Sequence, residues 1–294
     1  MPTSAAATPS RQAAHAPRLL RAARIIHPFP TVLNVMATAA LSFVAASGAP
    51  DATVLVRMLA VMFCAQAAIG VTNDLFDRHL DEAAKPWKPL PAGLMPVRIA
   101  LLMAVGFALG AVVIAATLGP GSFGLAMLGM GCGLAYDARL KRTPLSFVPF
   151  VFAIPTLPSW VWVTFDAWTA VLWWIWPIGG LIGLSLHLAN TLPDIDDDAR
   201  HGVRGLAHAL GAGRSRVLAL SAFAAALALA AAAGLAHDGE RWLLAVALLA
   251  GAVGLAATLA IHARRHGAVA DQAGFALLGV GAAVAATAWL AAVT

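Results

Sequence analysis

The 294-residue chain is 61% hydrophobic and only 11% charged, against about 25% charged residues in ordinary globular domains. With a mean hydropathy of +0.82 it reads as an all-α, polytopic membrane bundle, which excludes an ordinary soluble domain. Membrane orientation and anionic lipid headgroups account for the formal net charge of +5, so no nucleic-acid partner is needed to explain it.

In chain order, residues 1–25 form a tail rich in Ala, Pro and Arg without a cleavable signal pattern. Within it, LLRAARII (Leu19–Ile26) reads as a short interfacial amphipathic helix leading into HPFPT. Residues 26–294 read as one transmembrane domain. A membrane-spanning helix needs about 20 largely apolar residues. Nine spans are expected, near 31–49, 52–73, 98–117, 121–136, 146–164, 168–190, 215–235, 241–262 and 270–292. Gly131, Gly133, Pro149, Pro155 and Pro158 interrupt the fourth and fifth. Such breaks are tolerated where the freed backbone groups face protein or a wet cavity.

Basic residues test the count. With nine spans, the tail and the connections after spans 2, 4, 6 and 8 share one side, and 17 of the 19 Lys and Arg fall there. Only Arg57 and Arg241 lie opposite. The positive-inside rule makes the rich side cytoplasmic, giving a multi-pass cell-membrane protein with a cytoplasmic N-terminus. Cys64 and Cys132 lie inside apolar spans, away from any CxxC or His, and read as small core residues.

At the cytoplasmic end of span 2 stands VTNDLFDRHLDEAAKPWKPLPAG (Val71–Gly93). On a helix, Asn73, Asp74, Asp77 and Asp81 fall within an arc of about 100°. Three carboxylates on one stripe repel each other unless a cation sits between them, and an oxygen-only donor set suits Mg²⁺. A second cluster, HLANTLPDIDDDARHG (His187–Gly202), occupies the matching end of span 6, with Asn190, Asp194 and Asp198 recurring every four residues. Pro193 bends or restarts the helix before Asp194, which takes Asn190 off the line. Asp196 projects away and reads as solvated, while Asp197 lies closer to the stripe and is left open. The D-x-D-x-D spelling is not a calcium EF-hand loop, because Gly205 stands where the twelfth-position Glu is required.

Acids and bases concentrated on one side of the membrane suit a polyanion bridged by Mg²⁺, with Lys and Arg on its remaining oxygens. A diphosphate on a greasy tail fits this composition, head at the carboxylates and tail between the spans. Intramembrane acids are functional by default.

These residues resemble a known family. NDLFDRHLD matches the N-D-x-x-D-x-x-x-D motif of the UbiA superfamily of intramembrane prenyltransferases, and NTLPDIDDD matches its second motif, D-x-x-x-D. KPWKPLPAG is similar to the segment that follows the first motif, and LAYDARLKRTPL (Leu134–Leu145) to a loop after span 4 that carries Tyr and basic residues. The resemblance covers about residues 24–290. It implies nine helices around a central cavity closed by cytoplasmic cap loops, here 76–97 and 191–214. It also implies an isoprenyl diphosphate held by two Mg²⁺ ions, ionised to an allylic carbocation and transferred to an acceptor, a small molecule or a lipid and commonly an aromatic ring. By motif, Asn73, Asp74, Asp77, Asp81, Asn190, Asp194 and Asp198 are the expected metal residues. Asp77, Asp198 and Tyr136, the only tyrosine, are the expected catalytic residues. Lys141 and Arg142 match the basic pair that meets the diphosphate. Lys85, Arg78 and Arg204 are further candidates there, though positive-inside bias explains each equally well.

Two departures stand out: Lys88 replaces an Arg common among relatives, and His27 precedes Pro28 where Arg-Pro is frequent. His187, three residues before Asn190, is an acceptor-binding candidate beside the reading of a packed, hydrogen-bonded histidine. His79 and His201 read as surface. Trp160, Trp162, Trp168, Trp173, Trp174 and Trp176 read as an interfacial belt in preference to a prenyl-chain tunnel. GLAMLGMGCG (Gly124–Gly133) reads as a small-residue packing face. Alternatives to prenyl transfer are a terpene cyclase with the same ionisation chemistry, and a transporter or channel. The latter predicts acids near the midplane, not at one face. Nothing in the sequence selects an acceptor or a chain length.

Overall fold

The computed structural model describes residues 17–200, 204–265 and 267–294, with the side chains of Ala83, Ala84, Asp197 and Arg200 excepted. His201, expected at the surface, lies outside the described residues, as does the side chain of Asp197. Two short helical turns come first, α1 (Arg18–Ala22) and a 3₁₀ segment (Ala23–Ile26). They expose Leu19 and Leu20 and bury Ile25.

The long helices are α2 (Pro28–Ala45), α3 (Ala52–Ala84), α4 (Val97–Ala115), α5 (Pro120–Ala138), α6 (Val148–Thr164) and α7 (Ile175–Thr191). After two short helices, α8 (Ile195–Arg200) and α9 (Leu206–Leu210), follow α10 (Ala212–Ala236), α11 (Arg241–Arg264) and α12 (Ala268–Val293). Among the described residues, seven helical segments are long and apolar enough to cross a membrane, which makes this a multi-pass membrane protein. Helices α5 and α6 stand where the fourth and fifth spans were expected, but neither is among these seven. The first is glycine-rich, and the second has 17 residues and runs unbroken through Pro155 and Pro158.

α7 is the innermost of these segments, packed between α6, α10 and α12, while α3 packs against α2, α4 and α5. Glycine permits the tight α6–α7 contact: a Cβ on Gly183 would run into the backbone of Phe150, and one on Gly179 into Pro155. Close approach through small residues was expected of Gly124–Gly133. It holds at Gly133, where a Cβ would run into the Ile69 side chain of α3, and Gly129 stands against Thr156 of α6, whereas Gly124 and Gly131 face open space.

Two further features correct the sequence expectations. The second span does not end near residue 73. Capped by the Asp51 carboxylate, α3 continues to Ala84, so the first cap segment begins at Lys85 and not at residue 76. The tryptophan belt also divides. Trp173 and Trp174 are exposed, but Trp160 and Trp162 are almost fully buried, the Trp160 indole donating to Ser122 Oγ at 2.8 Å. An indole whose N–H finds a partner is stable in the core, and tryptophan spacing alone cannot announce that partner.

The ion pairs among the described residues gather toward the end of the bundle where α3, α5 and α7 terminate. There Arg216 of α10 donates a two-pronged pair to Asp271 of α12, with His262 of α11 at 3.2 Å, tying the last three helices together.

Candidate active site

The site grows from the polar end of α3. Helical spacing sets Asn73, Asp74, Asp77 and Asp81 along one stripe, and each meets a polar group from another element. Asp77 accepts from Lys141 Nζ at 2.6 Å and Arg142 Nη2 at 3.1 Å, both on the one-turn 3₁₀ segment after α5. Asn73 Nδ2 donates to Asp137 Oδ1 at 2.7 Å, which leaves the Asn73 carbonyl oxygen as an acceptor. Asp137 is buried, lies 3.9 Å from Lys141, and keeps Oδ2 without a partner among the described residues.

One turn away, Lys88 Nζ bridges Asp74 at 2.9 Å and Asp81 at 2.6 Å. Burial alone pulls the Lys88 ammonium down, but its hydrogen bonds and charge contacts with Asp74 and Asp81 outweigh that, and its pKa is raised above the ordinary lysine value. Asp74 also contacts His27 Nε2 at 2.9 Å, at the left-handed residue (φ 49°) that turns the chain into α2. Asp74 is the most deeply buried acid of the group, turned toward His27 and Lys88.

The second cluster sits where α7 ends. Pro193 does restart the helix: a 3₁₀ turn (Leu192–Asp194) separates α7 from α8. Asn190, Asp194 and Asp196 are exposed, while Asp198 is half-buried. Among the described residues no three His, Cys, Asp or Glu side chains stand close enough to hold a metal on their own. The donor set nonetheless fits a hard divalent cation: oxygen-only ligands, an unpartnered buried oxygen on Asp137, and the free carbonyl of Asn73.

Below the charged layer opens a cavity of about 330 Å³. Asn34 of α2, Met62, Gln66 and Ile69 of α3, and residues of α5 and α6 line it. Tyr136 and Asp137 stand at its mouth, and Trp160 lies farthest along α6. Tyr136 meets Phe150 edge-on with ring centroids 5.2 Å apart, and His187 at 6.2 Å. His187 is buried, its Nε2 2.9 Å from Ser146 Oγ, and is absent from the cavity lining.

Comparison with known proteins decides the family. The model of the UbiA prenyltransferase family matches residues 34–280. The chain belongs to the UbiA prenyltransferase family. It is 28% identical over 201 residues to a 4-hydroxybenzoate octaprenyltransferase of Vibrio cholerae, covering 67% of this chain and 70% of that one. It is 29% identical over 157 residues to a digeranylgeranylglyceryl phosphate synthase of Methanothrix thermoacetophila, covering 50% and 55%. A UbiA homolog from Archaeoglobus fulgidus, solved bound to GPP and Mg²⁺, shares the fold with a TM-score of 0.72 at 19% identity, over 88% of this chain and all of that one.

Within this UbiA family member, Asn73, Asp77, Lys141 and Arg142 come together with Asp137, next to Tyr136 on α5, while Lys85 and Arg204 are exposed and Arg78 bonds to its neighbour His79. Sequence reasoning missed Asp137, and treated Lys88 only as a departure from the usual arginine. A signal for Asp137 existed: it is the only acid between Glu82 and Asp166, at the end of an apolar helix. No local signal marked Lys88, whose partners lie 7 and 14 residues away across a proline-rich turn.

Proposed function

We propose that this UbiA family transferase moves an isoprenyl group from an isoprenyl diphosphate to an acceptor, small molecule or lipid, inside the cytoplasmic membrane. The observation that carries the reading is the joining of Asn73 to Asp137 and of Asp77 to Lys141 and Arg142, with Tyr136 and Asp137 on the lining of a largely apolar cavity. The A. fulgidus homolog bound to GPP and Mg²⁺ supports the same reading. On it, residues 26–294 are the catalytic domain, preceded by a tail (1–25), and the polar end faces the cytoplasm, as the distribution of basic residues favours.

Asn73, Asp77, Asp81 and Asp137 would hold Mg²⁺ together with Asp194 and Asp198 of the second cluster. When bound, Mg²⁺ supplies positive charge that stabilises the departing diphosphate. Lys141 and Arg142, already poised on Asp77, transfer their hydrogen bonds to the diphosphate oxygens, where a planar guanidinium and an ammonium complement developing negative charge. Tyr136 and Phe150 present aromatic surfaces to the allylic cation that remains and offer it no strong nucleophile. The segments 85–96, 192–200 and 204–210 cover the mouth and exclude water, which would otherwise quench the cation to an alcohol. Asp74, engaged by His27 and Lys88, fixes the first segment against α3.

The test is incubation of the purified protein with labelled geranyl, farnesyl and geranylgeranyl diphosphates, with and without a panel of acceptors. Acceptor-dependent diphosphate release that stops with EDTA and returns with Mg²⁺ is expected. Release that survives EDTA, or full turnover by Asp77→Ala and Asp198→Ala, removes the reading. Cyclic product without acceptor replaces transfer by cyclisation.

A further inference from the structure

We propose that the cavity is measured for an isoprenyl chain of about three units, and that Trp160 is the stop that sets this length. The inference rests on the reading above that an isoprenyl diphosphate is the donor. It is carried by the order of the lining residues along three helices.

On α5 the lining runs from Asp137 and Tyr136 at the mouth to Leu125. Twelve residues at 1.5 Å each make this about 18 Å. On α6 it runs from Pro149 and Phe150 to Trp160, and on α3 from Ile69 to Met62. The deep ends of all three rows therefore coincide, at Leu125, Trp160 and Met62. There the Trp160 indole, 2% exposed, reaches across from α6 to α5 and donates to Ser122 Oγ, one turn beyond Leu125. Ser122 is in turn 2.7 Å from Thr164 Oγ1, which donates to the Trp160 carbonyl. The floor is thus a large rigid ring clamped at both its ring nitrogen and its backbone, and a bulky rigid wall excludes extra chain better than a flexible one.

Each isoprene unit adds four backbone bonds of about 1.5 Å, or roughly 5 Å along the chain once zig-zag is allowed for. Three units, roughly 15 Å, span the distance from Tyr136 to Trp160, and eight, about 40 Å, far exceed it. The volume of about 330 Å³ likewise lies at the low end of ligand pockets, which run from about 300 to 1,000 Å³.

The experiment compares kcat/KM for geranyl, farnesyl, geranylgeranyl and octaprenyl diphosphates in the wild type, Trp160→Ala and Ala126→Phe, read as diphosphate release. Ala126 lines the same deep end, so the two substitutions change the length in opposite senses. The wild type is expected to favour farnesyl over geranylgeranyl and octaprenyl by at least about tenfold. Trp160→Ala raises the geranylgeranyl-to-farnesyl ratio by about tenfold, and Ala126→Phe lowers the farnesyl-to-geranyl ratio by a similar factor. A wild type that uses the octaprenyl donor as well as the farnesyl one overturns the stop, as do ratios unmoved in both variants. If Trp160→Ala does not fold, Ala126→Phe decides alone. Release with a flat length profile sinks only the stop, whereas no release from any isoprenyl donor sinks the reaction itself.

Discussion

The Ser146 hydroxyl lies 2.9 Å from Nε2 of His187, joining the start of α6 to the end of α7. The same oxygen accepts the backbone N–H of Leu206 at 3.0 Å. One serine therefore connects the cap segment after α8 to the histidine whose ring packs against Tyr136 and Phe150. With Leu206 donating, the arrangement that satisfies most groups has the Ser146 O–H donating to His187. Ser146→Ala leaves a buried ring nitrogen and a backbone N–H unpaired, a cost of about 1–3 kcal/mol for each group. The expected outcomes are faster proteolysis within 204–210 and more prenyl alcohol relative to transferred product, measured by timed digestion and by product analysis. Ser146→Thr, which keeps the hydroxyl, restores both.

Lys88 holds Asp74 and Asp81 together from a turn far from either in sequence. Lys88→Met leaves two buried carboxylates without their cation, and removing one partner of a buried ion pair costs about 3–5 kcal/mol. A fall in the unfolding midpoint in detergent is expected, with most of it recovered in Lys88→Arg, which keeps the charge. An unchanged midpoint in Lys88→Met contradicts the bridging role.

Asp137 connects Asn73 to Lys141 and keeps one oxygen without a partner. Asp137→Asn removes one anionic oxygen from the donor set and is expected to weaken Mg²⁺ affinity and turnover by at least about 10-fold, no less than a change in a group that only orients a metal ligand. Titration of activity against Mg²⁺ concentration measures it. Restoration of turnover at high Mg²⁺ marks a loss of affinity, as distinct from a loss of fold.

Arg216 and Asp271 lie outside the site and join α10 to α12, with His262 from α11 alongside. Asp271→Asn leaves the half-buried guanidinium without its charge partner, for an expected loss of about 3 kcal/mol. The thermal midpoint is expected to drop while the KM for the prenyl donor stays unchanged. A changed KM with a normal midpoint reverses that assignment.

Helical period made the stripe Asn73, Asp74, Asp77 and Asp81 readable, because side-chain direction on a helix is fixed by residue number alone. It also marked the break at Pro193, since a proline removes a backbone donor wherever it falls. The end of α3 was not readable in this way. The apolar run stops near residue 73, while the helix continues to Ala84 with its acids met by Lys88 and Lys141 from outside it. The tryptophans misled for the same reason: a belt residue and a clamped core residue share one identity and one hydropathy, and only Ser122, 38 residues from Trp160, separates them.

The sequence by itself determined the membrane bundle, the two acidic clusters and the gathering of basic residues at one end. These follow from local properties, namely apolar run length, helical period and charge. The tertiary structure decided which cation meets which carboxylate, that Asp137 joins the site, and that Trp160 is buried against Ser122 on the cavity lining. Those outcomes depend on helices packed side by side from distant parts of the chain, where a contact of 3 Å leaves no periodic trace in the sequence.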